Sequence, residues 1–235
     1  MSENKKIAVV TGTSSGIGFS IANKLILEGW TVYGLDQTKN NVSNQTFVPV
    51  QVDLNNVNEL NKAFDKILQT AVPKAVIHAA GLLRIGSLGD LDLQNGELMW
   101  RTHVEVATKL ANRFLPLMIS QGHGRMVLIG SRISMGIAHK SQYAATKAAL
   151  VSLARSWAAE SIRGGVTVNV ISPAATDTPM LSDPSRISRA PQTPPIGRLI
   201  QPAEVAALTV YLVGESAGAI TGQDIAICGG SSVSH

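Results

Sequence analysis

A single cysteine, Cys228, stands in a chain of 235 residues. One thiol excludes an internal disulfide and a thiolate metal cluster. Its setting, Ile225-Ala226-Ile227-Cys228, predicts a buried strand thiol. Charge is also scarce: 15% of residues are charged against 45% hydrophobic, enough apolar surface for one domain over residues 1–235 with a large core. Aromatic residues make up only 4%, and the net charge of +4 comes from scattered Lys and Arg. No basic run interleaved with aromatics exists, which argues against nucleic acid as a partner. Apolar runs stay short of the roughly 18 residues that a membrane span needs. The amino terminus, MSENKK, is polar and lacks the signal-peptide pattern. A cytoplasmic protein without a membrane partner is therefore expected.

Glycine is placed with purpose. Thr11-Gly12-Thr13-Ser14-Ser15-Gly16-Ile17-Gly18 follows an apolar run, Ile7 to Val10, and precedes an apolar-periodic one, Ile21 to Leu27. Strand, glycine turn and helix is the context in which this spacing points to a dinucleotide. Gly12 permits the tight turn, Gly16 lets backbone approach a pyrophosphate, and Gly18 lets helix and strand pack closely. The helix start offers N–H groups and the positive end of its dipole to phosphates. A second strand, Thr31 to Leu35, delivers Asp36, eighteen residues past Gly18. A carboxylate there accepts from ribose hydroxyls and repels a 2′-phosphate, so NAD is expected over NADP, with Lys39 the one dissenting cation nearby.

Farther along, Tyr143 and Lys147 stand four apart in a run without Pro or Gly, Ser141 to Glu160. That spacing puts both on one helical face, roughly 5–6 Å apart at Cβ. An ammonium so close favours the phenolate, and a phenol so poised can give and take a proton. Gly130-Ser131 comes directly after the strand Met126 to Ile129, and Ser131 is placed to hold a carbonyl or hydroxyl oxygen beside the phenol, with Ser134 as a rival. Asp53 reads as an N-cap for a helix over 56–70. A long helix over 94–121 is expected to kink at Pro116, and residues 180–200, rich in Pro, read as a substrate lid. Within it Arg186, Arg189 and Arg198 read as solvated charge more readily than as an anion site.

Taken together, TGTSSGIG at 11–18, Asp53-Leu54, His78-Ala79-Ala80-Gly81, Ser131, YAATK at 143–147, Asn169 to Met180 and Gly222 resemble the short-chain dehydrogenase/reductase family. The resemblance runs through nearly the whole chain. It implies a doubly wound, Rossmann-like α/β three-layer sandwich with a seven-stranded parallel sheet, and an NAD-dependent oxidoreductase acting on a small alcohol or ketone without a metal. Tyr143 would be the general acid and base, Ser131 would orient the substrate oxygen, and Lys147 would support Tyr143 and bind the nicotinamide ribose. Gly12, residues 14–18, Asp36, Asp53, Leu54, Ala79, Ala80, Gly81, Pro173, Ala174, Thr176 and Thr178 would contact the cofactor. Three departures stand out: His78 and His103 occupy places where the family carries Asn, and Ala174 one where it carries Gly. His103 could hold the water that the Asn holds, relay protons near neutral pH, or fill a helix bend. A homotetramer or homodimer paired through two long helices is implied as well. Competing readings are a 3-oxoacyl thioester reductase, a dihydrodiol dehydrogenase, and a dinucleotide-sensing regulator without catalysis.

Overall fold

Seven short apolar segments become strands and pair in parallel throughout. The computed structural model describes residues 5–39, 42, 44–182 and 192–233. Its strands are β1 (Ile7–Thr11), β2 (Thr31–Asp36), β3 (Phe47–Gln51), β4 (Ala75–His78), β5 (Gly124–Ile129), β6 (Val166–Pro173) and β7 (Asp224–Ile227). They lie in the order β3-β2-β1-β4-β5-β6-β7. The helices are α1 (Gly16–Leu27), α2 (Val57–Leu68), α3 (Leu93–Trp100), α4 (Val106–Ser120), α5 (Ser141–Ser161) and α6 (Pro202–Val213).

Side chains alternate across a strand, and here both faces are apolar. Ile7 and Val9 of β1 join one core cluster with residues of α2, α4 and α5. Ala8 and Val10 join a second with residues of α1 and α6. A strand covered by helices on both sides needs such a continuous apolar run, which makes this the expected three-layer sandwich. The order reverses between β1 and β4, both central. Their carboxyl ends, Thr11 and His78, therefore flank the crevice where open α/β sheets bind ligands.

Three local expectations change. Helix α2 is capped by Asn56, whose side chain accepts from the N–H groups of Asn58 and Glu59, while Asp53 accepts from Asn55 in its own turn. The span 94–121 is not one helix: a π turn, Arg101–Glu105, separates α3 from α4, and α4 runs through Pro116. The irregularity sits where the His78 ring takes the His103 carbonyl, at 3.1 Å, and side-chain insertion of this kind disturbs a helix ladder. Cys228 is half-buried just beyond β7 rather than buried within it, because β7 is the half-covered edge strand. Most of the expected lid, with Arg186 and Arg189, lies outside the described residues; Arg198 is held by Glu204 through two bonds of 2.8 and 2.9 Å. Among the described residues, no helix is long and apolar enough to cross a membrane.

Candidate active site

The glycine loop is shaped by contacts that leave no room for side chains. Gly12 has φ +75°, and a Cβ on it would stand 2.8 Å from the Ala80 Cα. A Cβ on Gly18 would meet the Gly12 carbonyl oxygen at 2.1 Å, so α1 presses on the end of β1 as the spacing predicts. At its N-terminus α1 has no side-chain cap and no acidic residue in its first turn. Its leading N–H groups are thus left for an anion. Beside them Asp36 is fixed on both oxygens: Oδ2 accepts from Ser14 N–H and Oδ1 from Thr38 N–H, each at 2.9 Å. The carboxylate is held in one orientation while facing the cavity.

One cavity of about 1310 Å³ brings the expected residues together. Gly12, residues 14–18, Asp36, Asp53, Leu54, residues 79–81, Pro173, Ala174, Thr176 and Thr178 all line it, as do Ser131, Tyr143 and Lys147. This volume exceeds that of ordinary drug-sized pockets, and a dinucleotide and a substrate fit the donor set and the glycine cradle. Ser131 leaves the carboxyl end of β5, where its hydroxyl accepts from Ile133 N–H at 3.4 Å. Ser134 is not among the described lining residues.

Helix α5 presents Tyr143 and Lys147 on one buried face. The Lys147 Nζ lies 5.7 Å from the centre of the Tyr143 ring and donates to the Ile129 carbonyl at 2.8 Å. Burial pulls the Lys147 ammonium down from 10.5 to about 7. Desolvation disfavours a charge that few partners offset.

His103 does not reach the cavity wall. It is fully buried behind it, edge-on to the Tyr143 ring with centroids 5.5 Å apart. Its Nε2 accepts from Leu82 N–H at 3.0 Å and its Nδ1 lies 2.8 Å from Thr146 Oγ1. Both nitrogens are committed to protein groups. Burial, then the Lys147 and His78 charges, push its pKa well below the ordinary 6.5. His78 is likewise fully buried and is pushed to about 3 by burial and then Lys147. Sequence reasoning missed Thr11 and Thr146 as their partners. Thr146 could have been found, since it lies three residues past Tyr143 on the buried face; Thr11 carried no local signal.

A family model described as Enoyl-(Acyl carrier protein) reductase matches residues 12–232. The chain is 31% identical over 242 residues to the 3-oxoacyl-[acyl-carrier-protein] reductase FabG of Salmonella typhimurium, covering 98% of each. With a putative ketoacyl reductase of Streptomyces coelicolor it shares 28% identity over 258 residues, covering 97% of each. A crystal structure of an actinorhodin polyketide ketoreductase variant with NADPH superposes with a TM-score of 0.87 at 25% identity, covering 100% of both chains. Sheet order, glycine cradle and these matches converge: the chain belongs to the short-chain dehydrogenase/reductase family of oxidoreductases.

Proposed function

We propose that this protein interconverts a secondary alcohol and a ketone with a nicotinamide dinucleotide, NAD in preference to NADP, and that Tyr143 is its general acid and base. The observation that carries this reading is the meeting of the uncapped α1 terminus, the fixed Asp36 carboxylate and the Ser131, Tyr143, Lys147 group on one cavity. When bound, the dinucleotide supplies or accepts hydride. Ser131 donates to the substrate oxygen and holds it beside the Tyr143 phenol. In reduction that phenol gives its proton to the oxygen, and in oxidation the phenolate takes it back. The Lys147 ammonium stabilises the negative charge on Tyr143 as the proton leaves. Leu82, Ile133 and Met180 form an apolar wall that limits water around the exchange.

Asp36 carries the cofactor preference. A 2′-phosphate would bring further negative charge against a carboxylate that its two N–H donors prevent from turning away. Titration of the purified protein by fluorescence should therefore show NADH binding at least about tenfold tighter than NADPH, a difference of about 1.4 kcal/mol. Equal or tighter NADPH binding would overturn this preference.

A second reading, reduction of a 3-oxoacyl thioester, is favoured by the ketoacyl relatives and by the cavity's charge. Apart from Asp36 and Asp53 its described lining holds no carboxylate, whereas Arg84, Arg132 and Lys140 all line it. Cations there suit an acyl group on a phosphate-bearing carrier. Turnover of an acetoacetyl thioester well above that of simple secondary alcohols would select this reading. Subunits pairing through α4 and α5 as a homotetramer or homodimer complete the proposal; a monomer in light scattering removes that part.

A further inference from the structure

Two imidazoles stand behind the cavity wall without a part in the reaction above, and their proton positions can be worked out. Thr11 Oγ1 accepts from Ala79 N–H at 3.1 Å and Ala80 N–H at 3.0 Å. Its own hydrogen is left for His78 Nδ1, 2.9 Å away. His78 therefore carries its hydrogen on Nε2 and donates to the His103 carbonyl. At His103, the Leu82 N–H occupies Nε2. The ring hydrogen is then on Nδ1 and goes to Thr146 Oγ1, whose own hydrogen goes to the Tyr143 carbonyl at 2.8 Å. Every donor meets an acceptor with both rings neutral.

We propose that His78 and His103 are one positioning unit: a directional hydrogen-bond chain from Thr11 to Tyr143 that fixes the reacting phenol against the glycine-loop strand and carries no proton in turnover. It rests on the proposed function only in taking Tyr143 as the reacting residue. The chain of bonds joins the end of β1, the 79–82 loop, the π turn and α5, the four pieces of backbone that must hold register around the site. Its members are fully buried except for the 79–82 loop and the nearly buried Tyr143. The ring of His103 also packs edge-on against the phenol it positions. Lys147 is the cation that bears on both histidines, and His78 bears on His103. A second positive charge in that enclosed space is opposed by both burial and Lys147. The two histidines, which depart from the family resemblance together, thus form a matched pair. His78 reaches Thr11 with one nitrogen and the His103 carbonyl with the other, so losing the His78 ring leaves the backbone that carries the His103 ring without its buried donor.

The test is NMR of the full chain labelled with ¹⁵N-histidine, followed from about pH 5.5 to 8.5, a range in which an ordinary imidazole titrates. The expected result is two rings that do not titrate, His78 with its hydrogen on Nε2 and His103 with its hydrogen on Nδ1. Titration of either ring in that range, or the opposite tautomers, overturns the proposal. A second arm measures NADH affinity in His78→Asn, His103→Asn and the double variant. Each single change is expected to weaken binding about tenfold, and the pair together by about tenfold rather than a hundredfold. Losses that multiply mean two independent residues and overturn the unit. A third reads the phenolate absorbance step that Tyr143→Phe removes: His103→Asn should move it by about half a pH unit or more, and an unmoved step refutes the link to Tyr143. If a variant fails to fold, the spectrum of the unaltered protein decides. If neither NADH nor NADPH binds the unaltered protein, the proposed function fails while the spectrum still judges the histidines.

Discussion

Removing the Tyr143 phenol oxygen takes away the proton's only assigned carrier and leaves the cavity shape nearly intact. Tyr143→Phe should lower kcat by about 10²-fold or more while NADH still binds; undiminished turnover would show that another group moves the proton. A protein that binds NADH yet turns over no alcohol, ketone or thioester before the substitution would instead support a non-catalytic sensor. Asp36→Ala should narrow the NADH-to-NADPH affinity ratio by about tenfold or more, and an unchanged ratio would free Asp36 from that role. Lys147 offers an opposite kind of test. Its folded pKa, about 7, lies below the ordinary 10.5, so at neutral pH the unfolded chain binds the proton more readily and this residue opposes folding. Lys147→Met, close in volume, should abolish turnover yet raise stability at pH 7 by a few kcal/mol, roughly 1.4 for each pH unit that separates the folded pKa from the unfolded one. Denaturant midpoints below wild type would contradict it. At this scale Asp36, Tyr143 and Lys147 were legible because their spacing implies their geometry. The histidine chain was not, since residue type alone does not say where a ring nitrogen 25 positions from its partner will point.

At the level of elements, the helix α1 and strand β1 form a rigid joint at Gly18. Gly18→Ala would force its methyl into the Gly12 carbonyl, a backbone atom that cannot step aside. The expected outcome is a lowered melting temperature together with loss of NADH binding, because the shifted loop no longer presents its N–H groups; a variant that binds NADH normally would show that the joint yields. Strands were legible from apolar runs flanked by turn residues, within a residue or two at most ends. The break between α3 and α4 was not. Pro116 is the local signal, yet it sits exposed on a helix that accommodates it. The π turn instead coincides with a contact distant in sequence, where the ring of His78 on β4 bonds the His103 carbonyl.

For the whole molecule, buried bases tie stability to pH. Below pH 6.5 the unfolded chain protonates His78 while the folded one, held near 3, does not. Stability from this group is fully present above 6.5 and declines by about 1.4 kcal/mol per pH unit as pH falls toward 3. His103 adds to the same limb, since its pKa is also pulled down. Urea midpoints measured across this range should fall steeply in wild type and less so in His78→Asn; parallel curves would remove the histidines from the acid response. The layered architecture itself was legible through the family resemblance that the motifs carry, and apolar runs with helical stretches between them agree with it. The sheet order has one further effect, on the chain as it is being made. β1 pairs with both β2 and β4, Val9 lying opposite Tyr33 on one side and Val76 on the other. At about 5–20 residues per second of synthesis, the strand that ends in the glycine loop waits several seconds for its second neighbour. Until then Ile7, Ala8, Val9 and Val10 present an unpaired edge, so the segment that later anchors the site is also the one most in need of a chaperone's cover on the ribosome.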